Sequence, residues 1–142
     1  MNDSALTHEM AKCTGMLFFG MKASHKPLKS IMHGGMHILN YLVRNDGPMT
    51  PGELSTGMDA SSARIAISLR NLEKSGFIAR DIDKSDRRKI LVTITEDGRE
   101  IVRKSNDEIM NRMALIIGEI GEKDAREYIR IVSRIVDVMQ KL

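Results

Sequence analysis

The apolar period of this chain changes twice near its middle, and that change constrains the fold more than any other feature. Between residues 50 and 74 the apolar side chains recur at three- and four-residue steps, the spacing of helices buried on one side. Residues 77–95 alternate instead, as strands do. After Thr95 the helical period returns. Thr50-Pro51-Gly52-Glu53 predicts a sharp helix start, with Thr50 as cap, Pro51 in the first turn and Glu53 closing a capping box. That short helix ends near Gly57-Met58. Asp59-Ala60-Ser61-Ser62 then offers new capping residues for a helix to about Lys74, with Ile65, Leu69 and Leu72 facing inward and Ser75-Gly76 as its stop. Residues 77–80 read as a short strand and Asp83-Lys84-Ser85-Asp86 as turn chemistry. Residues 88–95 read as the return strand, with Ile90, Val92 and Ile94 on one face and a loop of about five residues between the strands. The order is a helix-turn-helix followed by a hairpin wing.

Helices flank this centre. Leu6, Met10, Cys13, Leu17 and Met21 space a helix over residues 4–24, and Pro27 breaks it. A second runs over about 33–44 with Met36, Leu39, Leu42 and Val43 on one face, stopped by Asn45-Asp46-Gly47-Pro48. Thr95 caps a long helix over about 96–117, Gly118 and Gly121 bracket a turn, and a last helix covers about 123–139. The expected fold is mainly α with a small β-hairpin wing, an α+β winged helix-turn-helix between long terminal helices. A chain of 142 residues is one ordinary domain by length. Within it, residues 30–98 are the expected winged-helix lobe, and 1–29 and 99–142 the expected dimerisation helices.

Composition narrows the function. Hydrophobic residues at 42% and charged residues at 29% fit a globular protein. No apolar run approaches the roughly 20 residues that span a bilayer, and the first residues lack a signal-peptide pattern. The lone Cys13 excludes a disulfide framework and fits a reducing compartment, so a cytoplasmic protein without a membrane partner is expected. Aromatics at 4%, with no Trp, disfavour a single-strand binder built on stacking. Charge is unevenly placed. Residues 1–60 carry five Lys/Arg and five Asp/Glu, residues 61–90 eight against four, and residues 91–142 nine against ten. The net positive charge therefore lies in the helix-turn-helix and wing, the electrostatic footprint of a nucleic-acid contact; a merely solvated basic surface is the plainer alternative.

Two clusters carry the expected chemistry. Ser61, Ser62 and Arg64 open the second helix of the helix-turn-helix, where small hydroxyls and a helix N-terminus suit phosphate and an arginine fork suits guanine in a major groove. Capping and surface solvation are the bland readings of the same residues. At the hairpin tip, Arg87, Arg88 and Lys89 follow Asp86. An arginine there can enter a narrow minor groove, and Asp86 is read as the residue that orients Arg88.

The segments "SSARIA", "LEKSGFIAR", "DRRKILVTIT" and "TEDGRE" together resemble the MarR (multiple-antibiotic-resistance regulator) family over roughly residues 48–100. The resemblance implies a dimeric regulator of transcription that binds double-stranded DNA, usually a repressor released by a small ligand or oxidant. It gives Ser61, Ser62 and Arg64 a major-groove role, and Arg88, supported by Asp86, a minor-groove role. Ile67 departs from the pattern: many members carry a polar or basic residue facing DNA there, so Ile67 either meets a thymine methyl or packs.

A homodimer is also read from the last helix, where Val132, Ile135 and Met139 follow one stripe that Ile131 and Val138 widen: a face that broad suggests one packing surface within the chain and one across a dimer, a single-chain bundle against the first helix being the plainer alternative. Two-fold symmetry then sets the reading helices about one DNA turn apart, ~34 Å, on a pseudo-palindromic operator. Three features bear on a switch. Cys13 sits on an apolar stripe; one branch of the family senses peroxide through a first-helix cysteine, but an inert buried thiol is the preferred reading. His33 and His37 share a face at i, i+4, too few ligands for a metal alone, so no metal or cofactor is expected. Six of eleven methionines fall within the first 36 residues, suiting either core or an adaptable pocket for a small-molecule effector. An enzyme is not expected, because the chain has no phosphate loop or nucleophile elbow. The rival reading is a winged helix used only for protein interaction.

Overall fold

A computed structural model describes residues 4–20 and 30–142, with the side chains of 16–20 and 30–34 outside the description. The order is α1 (Ser4–Gly20), α2 (Ser30–Asn45), α3 (Pro51–Gly57), α4 (Ser62–Lys74), β1 (Ile78–Ile82), β2 (Ile90–Ile94), α5 (Glu96–Ile120) and α6 (Glu122–Met139). The chain forms two compact units, one of residues 27–104 and one of residues 1–26 with 105–142. The division inside α5 falls beyond the residue 98 expected for the lobe, because Val102 is buried in the first unit's core and Ile101 packs against it.

In the 27–104 unit, the core joins Ile38, Leu39 and Leu42 of α2, Leu54 of α3, Ile65, Leu69 and Leu72 of α4, Ile78 and Val92 of the hairpin, and Val102 of α5. Ile38, fully buried, adds a position to the face expected on α2. The capping box closes α3 as expected: the Glu53 amide donates to Thr50 Oγ1 at 3.1 Å and the Thr50 amide to Glu53 Oε2 at 2.8 Å. The following turn is held by Ser55, whose Oγ donates to the Ala60 carbonyl at 2.6 Å, and by Asp59 in the left-handed region at φ 49. A Schellman motif ends α4, with the Phe77 amide bonded to the Leu72 carbonyl and the Gly76 amide to that of Glu73. Gly76 supplies the φ of 79 that this stop needs.

The hairpin is antiparallel, pairing Ile78 with Ile94 and Ile82 with Ile90. The first strand starts one residue later and runs two residues farther than expected, the second is shorter at both ends, and residues 83–89 form a loop of seven rather than about five. Its apolar face is also uneven, since Val92 is buried and Ile90 exposed. Met49, between Pro48 and Pro51, exchanges two backbone hydrogen bonds with Val92, at 3.0 and 2.7 Å, and so adds a one-residue antiparallel bridge to β2 of the wing.

In the other unit, α1 packs on α6: Leu6, Met10 and Cys13 meet Ala125, Ile129 and Val132, with Met113, Ile117, Tyr128 and Val136 against them. Leu17's side chain and Met21 lie outside the described residues. One sequence expectation is corrected here. Gly118 is helical, α5 continues to Ile120, and Gly121 alone, at φ 85, separates it from α6. The broad apolar face of α6 divides into two surfaces: Val132 packs on α1, while Ile131, Ile135 and Val138 are exposed in the single chain. Among the described residues no helix is long and apolar enough to cross a membrane.

Candidate nucleic-acid interface

Helix α4 turns its polar residues outward because Ile65, Leu69 and Leu72 hold its opposite face in the core. Ser61 is the N-cap, its Oγ accepting the Arg64 amide at 3.2 Å. The cap occupies an acceptor lone pair and leaves the hydroxyl proton as a donor. Ser62 and Arg64 are exposed in the first turn, where backbone amides of the helix start concentrate positive potential. Arg70 and Lys74 are exposed farther along, neither singled out by the sequence reading; a helical-wheel projection from Ile65 and Leu69 finds them.

The wing presents a second cationic point. Arg87, Arg88 and Lys89 are all exposed. Asp86 Oδ1 accepts the Arg88 amide at 3.1 Å and Arg88 Nε at 3.3 Å, so one carboxylate oxygen fixes both the backbone and the guanidinium of Arg88. The turn before it is set by Asp83, whose Oδ1 accepts the Ser85 amide at 2.9 Å and Ser85 Oγ at 2.7 Å. The Ser85 amide, followed by the Ser85 hydroxyl, holds the Asp83 carboxyl below its ordinary range. Not every cation of the segment is available: Arg80 is paired with Glu73 at 2.8 Å, which withdraws it from the basic surface.

The structure therefore brings Ser61, Ser62 and Arg64 onto one helix start, and Asp86, Arg87 and Arg88 onto one hairpin tip. Elsewhere, Cys13 is buried with its Sγ 3.8 Å from Ser133 Oγ. The His33 side chain lies outside the described residues, so its pairing with His37 is not defined. Among the described residues no three His, Cys, Asp or Glu side chains gather as metal ligands.

Comparison with known proteins agrees with this architecture. The profile of the winged helix DNA-binding domain matches residues 36–113. The chain is 27% identical over 138 residues to the uncharacterized HTH-type transcriptional regulator YdgG of Bacillus subtilis, covering 92% of this chain and 90% of that one. Among solved structures it is similar to YusO of Bacillus subtilis, at a TM-score of 0.66 and 17% identity, over 94% of this chain and 85% of that chain. It is also similar to Streptococcus pneumoniae FabT, solved in complex with DNA, at a TM-score of 0.63 and 19% identity, over 96% of this chain and 92% of that chain.

Proposed function

We propose that this chain, which belongs to the winged helix DNA-binding domain family, is a MarR-type, cytoplasmic, non-enzymatic repressor of transcription that binds a pseudo-palindromic operator as a homodimer and is released by a small-molecule effector. One observation carries the DNA reading furthest: a helix start and a hairpin tip on the same winged helix both present exposed arginines, each built into place by a capping serine or an orienting aspartate. In this reading Ser61 and Ser62 donate to phosphates and Arg64 reads guanine in the major groove. Arg88, steered by Asp86, enters the minor groove, and Arg87 contacts the backbone beside it. A surface used only for protein interaction has no need of cations at both groove-reading positions.

The dimer reading is supported by unpartnered apolar residues in the second unit: Leu115, Ile116 and Ile120 of α5, and Ile131, Ile135 and Val138 of α6 are exposed in the single chain. The effector reading draws on the methionines of the first 36 residues, whose adaptable side chains suit a ligand of variable shape. The test is hydroxyl-radical footprinting on the inverted repeat nearest upstream of the gene. Two protected patches about one turn, ~34 Å, apart with a dyad between them are expected. A single asymmetric patch would overturn the dimer reading, and no protection at all the DNA reading.

A further inference from the structure

The outward face of α4 has an apolar centre that neither capping nor phosphate contact uses. Ile67 is 56% exposed, on a helix whose other isoleucines and leucines are buried or half-buried. At about 100° per residue, Ile67 stands nearly opposite the buried line of Ile65, Leu69 and Leu72. Ala63 lies one turn before it on the same side and is also exposed. Arg64 and Arg70 flank this strip, so a helix laid against DNA by its charges brings the Ala63–Ile67 strip to the groove floor between them. Among base edges in the major groove only thymine offers an apolar group, its C5-methyl, and apolar side chains are its natural contact.

We propose that Ile67, with Ala63 beside it, reads a thymine methyl at one position of each operator half-site. This rests on the DNA-binding reading above and adds to it a specificity-determining residue. The geometry favours it over a protein-docking role because the strip is narrow and bordered by cations on both sides.

The experiment uses the full chain and duplexes that it enriches from a random-sequence pool. Each thymine of an enriched duplex is replaced in turn by deoxyuridine, which removes only the methyl, and binding is measured by fluorescence anisotropy. In the unmodified protein one thymine per half-site should be sensitive, with a loss of about fourfold per methyl. With Ile67→Ala, which alters an exposed side chain and should leave the thermal midpoint unchanged, the same replacement should have no effect. Sensitivity that persists in Ile67→Ala would assign the methyl effect to DNA shape and overturn the proposal, as would the absence of any sensitive thymine. Enrichment of no duplex would instead overturn the DNA-binding reading on which the proposal stands.

Discussion

Arg64 and Arg88 are both exposed arginines, yet their settings predict different jobs. Arg64 stands in the first turn of a well-capped helix, a rigid platform for bidentate pairing. Arg64→Ala should cost about 1–3 kcal/mol of binding and relax specificity at one base position per half-site. A uniform loss with specificity intact would make Arg64 a phosphate clamp. Arg88 lies on a turn, and the minor groove proposed for it has little base code, so Arg88→Ala should weaken binding to many sequences alike and reduce the salt slope by about one per chain. Asp86→Ala should give a milder version of the same change. Its ion pair with Arg88 is largely exposed, so the thermal midpoint should hardly move. Binding of each variant to single-base operator variants at several salt concentrations checks all three. Cys13, buried against α6, is expected to be structural: Cys13→Ser should leave DNA binding and its response to peroxide unchanged. Release by peroxide that vanishes in the variant would contradict this.

At the scale of elements, the junction of the hairpin with the start of α5 is set by close contacts. Thr95 Oγ1 accepts the Gly98 amide at 3.1 Å and donates to the Gly76 carbonyl at 2.7 Å, tying the end of α4 to the start of α5. A Cβ on Gly98 would overlap the Phe77 carbonyl and Ile94. Gly98→Ala should therefore destabilise the 27–104 unit by roughly 1–3 kcal/mol, read as a lower midpoint in urea. The wing turn has a pH limit of known sign. Because the Asp83 carboxyl titrates below its ordinary value when folded, the turn gains stability above the ordinary carboxylate range and loses it as pH falls through the lowered value. The Ser85 amide resonance should thus hold its position through neutral and mildly acidic pH and shift only below that range.

The elements whose ends are fixed by local chemistry were legible in the sequence: the box at Thr50 and Glu53, the cap at Ser61, the stop at Ser75-Gly76. Others depended on partners distant in the chain. Met49 pairs with Val92 through backbone alone, so no side-chain pattern marks it. Gly118 is read as a breaker by composition, but the helix runs on through Ile120 and leaves the turn to Gly121. The broad apolar face of α6 suggests two packing surfaces in the sequence, but which residues fall to each follows from which ones α1 reaches. Within the site, the order Asp86-Arg87-Arg88 was readable from sequence, and the hydrogen bonds from Arg88 to Asp86 came only with the turn.

At the scale of the whole molecule the account requires two copies acting together. Ile135 is 41% exposed in the single chain, on the α6 stripe that α1 does not cover. Ile135→Asp would place an unpaired charge in the proposed dimer surface and should give monomer by sedimentation. The Ala125, Ile129 and Val132 packing stays untouched, so the monomer should remain helical. An unchanged dimer would show that the subunits meet elsewhere. The central claim, sequence-specific binding of double-stranded DNA through a basic winged helix, is tested most directly by a salt titration of the unmodified protein on two duplexes. One carries the inverted repeat upstream of its gene and the other a scrambled copy of the same composition. The account predicts that affinity for both falls steeply with salt, linear in log–log form, while the preference for the repeat is kept across the range. Equal affinity for the two duplexes at every salt concentration, or binding that ignores salt, would contradict it.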